Sequence, residues 1–182
     1  MCACNPAIRT PFCGSPRCKW PDEKQAGART DVAPPTEKQL GALTEIQLAG
    51  VREVEAILAN MNQVDIETQH VFHAGMYART IVIPKDVALT GAYIVIPTLL
   101  IVNGHVNIWT GDGVMEVRGY RVLAGSAGRK QVFHAEEQTS VTMVFPTQAK
   151  TVDDAEREFT NEADKLLSRS AESANYVLIT ED

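Results

Sequence analysis

The chain has 182 residues, 45% of them hydrophobic and 22% charged, with a formal net charge of −6. That composition suits one soluble globular core with appendages, and the acidic balance excludes a whole-domain nucleic-acid footprint, which needs clustered Lys and Arg; no direct nucleic-acid readout is expected. No apolar run approaches the roughly 18–20 residues of a membrane span, and the start lacks the basic and apolar segments of a secretory signal, so the expectation is a protein made in the cytoplasm with no membrane contact.

The charge is uneven. Residues 1–30 carry Arg9, Arg17, Lys19, Lys24 and Arg29 against Asp22 and Glu23, whereas residues 151–182 carry nine acids against Arg157, Lys165 and Arg169. A basic head and an acidic tail can attract each other between neighbouring copies.

Residues 1–36 are rich in Cys, Pro, Gly and Arg without a sustained period, which reads as an arm. All four cysteines, Cys2, Cys4, Cys13 and Cys18, fall within it in a C-x-C-x8-C-x4-C pattern. In a reducing compartment such clustering favours metal ligation, and Gly14 lets backbone N–H groups approach the Cys13 sulfur. The expectation is a structural Zn2+ knob, with free thiols or disulfides as the alternatives; four thiolates would fill the coordination sphere and leave no catalytic position.

From residue 37 to 62, capped by Thr36, Leu40, Leu43, Ile46, Val51, Val54, Ile57, Leu58 and Met61 recur at helical spacing, which predicts one long amphipathic helix packed on its own core or on another chain. Residues 66–147 then change character. ARTIVIP, ALTGAYIVIP, TLLIVNG, HVNIWTG, GVMEV, GYRVLAG, RKQVFHA and TSVTMVFP are short β-rich runs broken by turn residues, which predicts an antiparallel sandwich or barrel. Asn103-Gly104 and Asp112-Gly113 read as hairpin turns, the first as a two-residue type I′ turn. Thr151 with Asp154 marks a helix start, and Val152, Ala155, Phe159, Ala163, Leu166 and Leu167 extend one face over 151–170. The tail, 171–182, contains an apolar run, Tyr176 to Ile179, that reads as an edge strand.

The run of turns and strands through IPKD, TG, TLLIVNG, GDG, GY, VLAGSAGRKQ and TMVFPT resembles the cupin family. HVFHAGMYARTIVIP followed by LTG resembles the small cupin-like proteins encoded by tailed bacteriophages. The resemblance implies an all-β core, an antiparallel cupin-like jelly-roll barrel, flanked by the Cys-rich arm and the two helices. Metal-bearing cupins present His-x-His and Glu before the first hairpin and a further His later. The matching stretch GAYIVIPTLLIVNG holds neither His nor carboxylate, and SAGRKQVFHA offers Arg129 and Gln131 instead, so no barrel metal is expected.

Other candidate chemistry is sparse. His70 and His73 are three apart in a segment leading into a strand, so they face opposite ways; His105 follows an expected turn and reads as solvated. The run Gly125 to Lys130 lacks P-loop spacing and reads as a turn with a positive tip. No nucleophile elbow or paired carboxylates emerge. The leading expectation is a non-catalytic virion structural or accessory protein of a bacteriophage, associating with copies of itself or with other virion proteins, most simply as a homo-oligomer. The alternatives are a binding protein that sequesters a small nucleotide or sugar ligand through Arg129, Lys130, Gln131 and His134, and an atypical cupin enzyme.

Overall fold

A computed structural model describes residues 39–166 and 175–180. The arm, and with it the zinc expectation at Cys2, Cys4, Cys13 and Cys18, lies outside the described residues.

The first described element is not a helix. Gln39–Leu40 forms a short strand, β1, parallel to Ala124 and Gly125 at the end of a later strand, and Leu40 is fully buried in the core. Helix α1 therefore starts later than the 37–62 expectation, at Glu45, and ends at Ala59. Thr44, not Thr36, is its cap: the Gln47 amide donates to Thr44 Oγ1 at 3.3 Å, and the Thr44 amide donates to Gln47 Oε1 at 2.9 Å. This reciprocal pair satisfies two otherwise orphaned donors, so the helix begins where the box is, with Leu40 already committed to the sheet. Val51 is the residue α1 buries, while Ile46, Ile57 and Met61 stay exposed.

The β region is a mostly antiparallel sheet of long strands. Glu67–His73 (β2) and Met76–Ile83 (β3) form a hairpin whose two-residue turn is Ala74-Gly75, both at positive φ of 47° and 71°. This is the turn geometry expected at Asn103-Gly104. There the chain does not turn: Thr98–Trp109 (β5) runs straight through, Asn103 faces Tyr120, and Gly104 faces Gly119 of Val114–Gly125 (β6). The β5–β6 hairpin closes instead at Thr110 to Gly113, around the second predicted turn, with the Thr110 amide donating to the Gly113 carbonyl. Four expected short strands are thus two strands of 12 residues each.

Gly104 is required for another reason. Residues 99–103 of β5 pair with Thr139–Pro146 (β8), and residues 106–109 pair with Val132–Ala135 (β7), which also takes Ala88–Thr90 (β4) on its far side. Where β5 changes partners, the β7–β8 connection crosses over it, and a Cβ on Gly104 would lie 2.7 Å from Thr139 Cα. Glycine inside a strand marks such a close backbone approach.

The main ladder runs β1-β6-β5-β8-β3-β2-β9, with β7 and β4 branching from β5. Among the described residues it does not return on itself, so the expected closed barrel is an open, folded-over sheet. Its last strand, β9 (Asn175–Ile179), lies parallel to β2 at the edge, where the apolar tail was expected to pair.

The 151–170 helix is shorter than its periodicity implied. Helix α2 spans Val152–Phe159, with Thr151 as cap, and stops at Thr160, which is extended and bridges Ile94. Thr160 Oγ1 donates to the Tyr93 carbonyl at 2.7 Å, and the Tyr93 amide donates to Glu162, so the β4–β5 connection takes over the chain before a second turn can form. A 3-10 turn follows at Ala163–Lys165. The short helix still anchors one of two apolar clusters: Phe159 stacks edge-on against Phe145, which meets Tyr77 likewise. Full burial of one such phenyl ring contributes about 2–3 kcal/mol. No helix of the described residues is long and apolar enough to cross a membrane.

Candidate functional site

The residues expected to contact a ligand are placed very differently from one another. Gly125 to Lys130 is no solvated tip: Arg129 and Lys130 are among the largest fully buried side chains. The chain folds this way because Gly125 leaves room for the guanidinium, and a Cβ there would come within 2.5 Å of Arg129 Cζ. Arg129 donates to Thr98 Oγ1 at 2.5 Å and to the Ser126 carbonyl at 2.6 Å, closing the loop on itself. Burial in this setting pushes its pKa down to about 10. Arg129 is a brace for the loop.

Lys130 is a second brace, of longer range. Its Nζ lies 2.8 Å from Glu55 Oε1 on α1 and 2.8 Å from Glu162 Oε2 beyond α2. Burial alone would raise the Glu162 carboxyl, but the bonds from Lys130 and the Tyr93 amide, with Lys165 nearby, hold it below its usual range. One ammonium thus ties α1 and the post-α2 segment to the sheet, and Arg52 adds a looser contact to Glu162 at 3.8 Å. Gln131 is buried, its carbonyl accepting from Gly91. His134 stands apart on the exposed side of β7, its Nδ1 3.3 Å from Glu136 Oε1. The predicted set of four does not converge on one site.

Beside Lys130 is a cleft of about 80 Å³, lined by Glu55, Thr68, Arg79, Lys130, Glu162 and Lys165 among apolar neighbours. Sequence reading missed Glu55, Arg79 and Glu162. Glu55 falls one turn after Val51 on the inward side of α1, but nothing local marks it as the partner of a lysine 75 positions away. The floor holds a further buried pair, with Arg79 Nε 3.9 Å from Glu156 Oε1. Burial lowers the Arg79 pKa from its ordinary value.

The histidines divide as strand alternation requires: His70 is buried and His73 exposed. His70 Nδ1 lies 2.7 Å from the Tyr77 hydroxyl and Nε2 lies 3.3 Å from Asn175 Oδ1 on β9. Burial pushes the His70 pKa down and the Tyr77 pKa up. His105 is not the solvated residue expected after a turn: it lies within β5, mostly covered, with Nε2 2.9 Å from Glu116 Oε1. Among the described residues no three His, Cys, Asp or Glu side chains come together in a way that could hold a metal ion.

No protein-family model matches the chain, and no curated relative matches it. Similar solved structures include a cupin-2 domain protein from Shewanella frigidimarina, at 11% identity and TM-score 0.38 over 51% of this chain and 91% of that one. A cupin superfamily protein from Desulfitobacterium hafniense is similar at 12% identity and TM-score 0.40 over 51% of this chain and 87% of that one. The cupin domain of Schizosaccharomyces pombe Cnp3 is similar at 12% identity and TM-score 0.38, over 56% and 72% respectively.

Proposed function

We propose that this chain is a non-catalytic assembly module with a cupin-like jelly-roll core, and that it serves as a structural or accessory protein of a bacteriophage virion, joined to copies of itself or to other virion proteins. One observation carries the reading. The cations a ligand would use, Arg129 and Lys130, are spent on the chain's own oxygens, while large apolar side chains remain exposed on α1 and β9. Buried braces of this kind fix elements in place, and grouped exposed apolar residues are what subunit contacts cover. The virion assignment comes from the resemblance of HVFHAGMYARTIVIP and its LTG turn to small phage-encoded cupin-like proteins. Light scattering on the eluting peak of purified full-length protein tests the assembly reading, with a defined multimer expected. A monomer at micromolar concentration, together with absence of the chain from purified particles of its source phage by mass spectrometry, overturns it.

A further inference from the structure

We propose that β9 is a proton-released strap: neutral His70 holds it on β2, and protonation of His70 frees it and bares the β2 edge. The attachment is unusual for a strand of this sheet. All five residues of β9 are exposed although it pairs with β2 from Thr68↔Asn175 to Phe72↔Ile179. It is held by its backbone ladder and by side-chain clasps at its two ends, not by buried apolar surface. At one end Asn175 meets His70; at the other Thr180 Oγ1 lies 2.7 Å from His73 Nδ1, and the Thr180 amide donates to the Phe72 carbonyl.

The His70 clasp works in only one protonation state. Asn175 Oδ1 is an acceptor, so His70 Nε2 carries the hydrogen, and Nδ1 accepts from the Tyr77 hydroxyl. A second proton must go on Nδ1, where it meets the Tyr77 O–H and forces that hydroxyl to turn away. The groups facing the ring are Tyr77 and Arg79 from β3, Glu156 from α2 and Asn175 from β9. Burial most strongly disfavours the imidazolium and Arg79 adds to this, while the Asn175 bond and Glu156 offset part of it. With β9 detached, the ring edge that Asn175 covers meets water and titrates near the ordinary value of about 6.5.

The sign follows from linkage. The docked form has the lower pKa, so docking is at full strength above the undocked value, and it weakens as pH falls below that value because only the undocked form takes up the proton. Weakening continues until the docked pKa is reached. Release needs no second chain, so the response is the same in monomer and multimer.

Hydrogen exchange on the full-length protein, corrected for intrinsic rates, tests the strap between about pH 7.5 and about pH 5. The expected result is an about tenfold or greater loss of protection in residues 175–179, with β5 and β6 unchanged. His70→Gln keeps one donor and one acceptor without titrating, and it is expected to lose the pH response; His73→Gln is expected to keep it. If His70→Gln does not fold, ring NMR of the wild-type protein decides, the His70 titration being expected to coincide with loss of β9 protection. Protection independent of pH, release while His70 stays neutral, or a response abolished by His73→Gln and kept by His70→Gln overturns the proposal.

Discussion

Two elements are fastened to this sheet in opposite ways. Helix α1 is locked through a charge with no access to solvent, Lys130 between Glu55 and Glu162, whereas β9 lies on β2 with every side chain outward. The difference shows that burial decides what a contact costs to break. Removing one partner of an enclosed ion pair strands the others in low dielectric, while trimming a solvated side chain changes little.

The comparison breaks first at Lys130. Lys130→Ala is expected to destabilise the fold by about 3 kcal/mol, read from the denaturant midpoint at unchanged slope, because Glu162 is left enclosed with its negative charge. A loss below about 1 kcal/mol would mean that the pair is solvated in practice. Acid should act on the same junction. The folded-state pKa of Glu162 is lowered, so its contribution is complete above the ordinary carboxylate range and is lost as pH falls through the depressed value. In Lys130→Ala that acid sensitivity should shrink, a difference visible in thermal unfolding at a series of pH values.

Next in size is Gly104→Val, expected to cost about 2 kcal/mol because the new side chain meets the Thr139 backbone and a β-branched residue is placed at φ 141°. At the other extreme, Leu178→Ser on β9 should shift stability by less than about 0.5 kcal/mol. A large loss there would show that β9 is covered, by another copy or a partner, and would remove the contrast with α1.

Gly104 also shows where sequence reading stops. The pair Asn103-Gly104 carries the strongest short hairpin signal in the chain, and local chemistry alone favours a turn. The glycine instead answers to a neighbour in space, Thr139, which no local pattern reveals. Alternation did identify the β region, and strand β3 with its flanks, because period two is a property of adjacent residues. Helix limits were misjudged for the same reason as the turn: Leu40 and Thr160 fit a helical period, but each is claimed by a distant strand or loop. The cleft was the least legible part. Arg129 and Lys130 look like surface cations in a Gly-Ser-Ala-Gly run, and their burial depends on Thr98, Glu55 and Glu162, brought together only by the completed fold.

The pairing of β9 with β2 has a consequence for how the chain is made. His70 and Asn175 are 105 residues apart, and β2 borders β9 on one side and β3 on the other. During synthesis at roughly 5–20 residues per second, β2 emerges many seconds before its outer neighbour exists. Throughout that interval its outer row of amides and carbonyls faces the cell unpaired, a template for any passing strand. A nascent chain arrested before Asn175 should therefore bind chaperones more persistently than the finished protein, and the last stretch to be translated works as a self-supplied seal on one of the earliest strands.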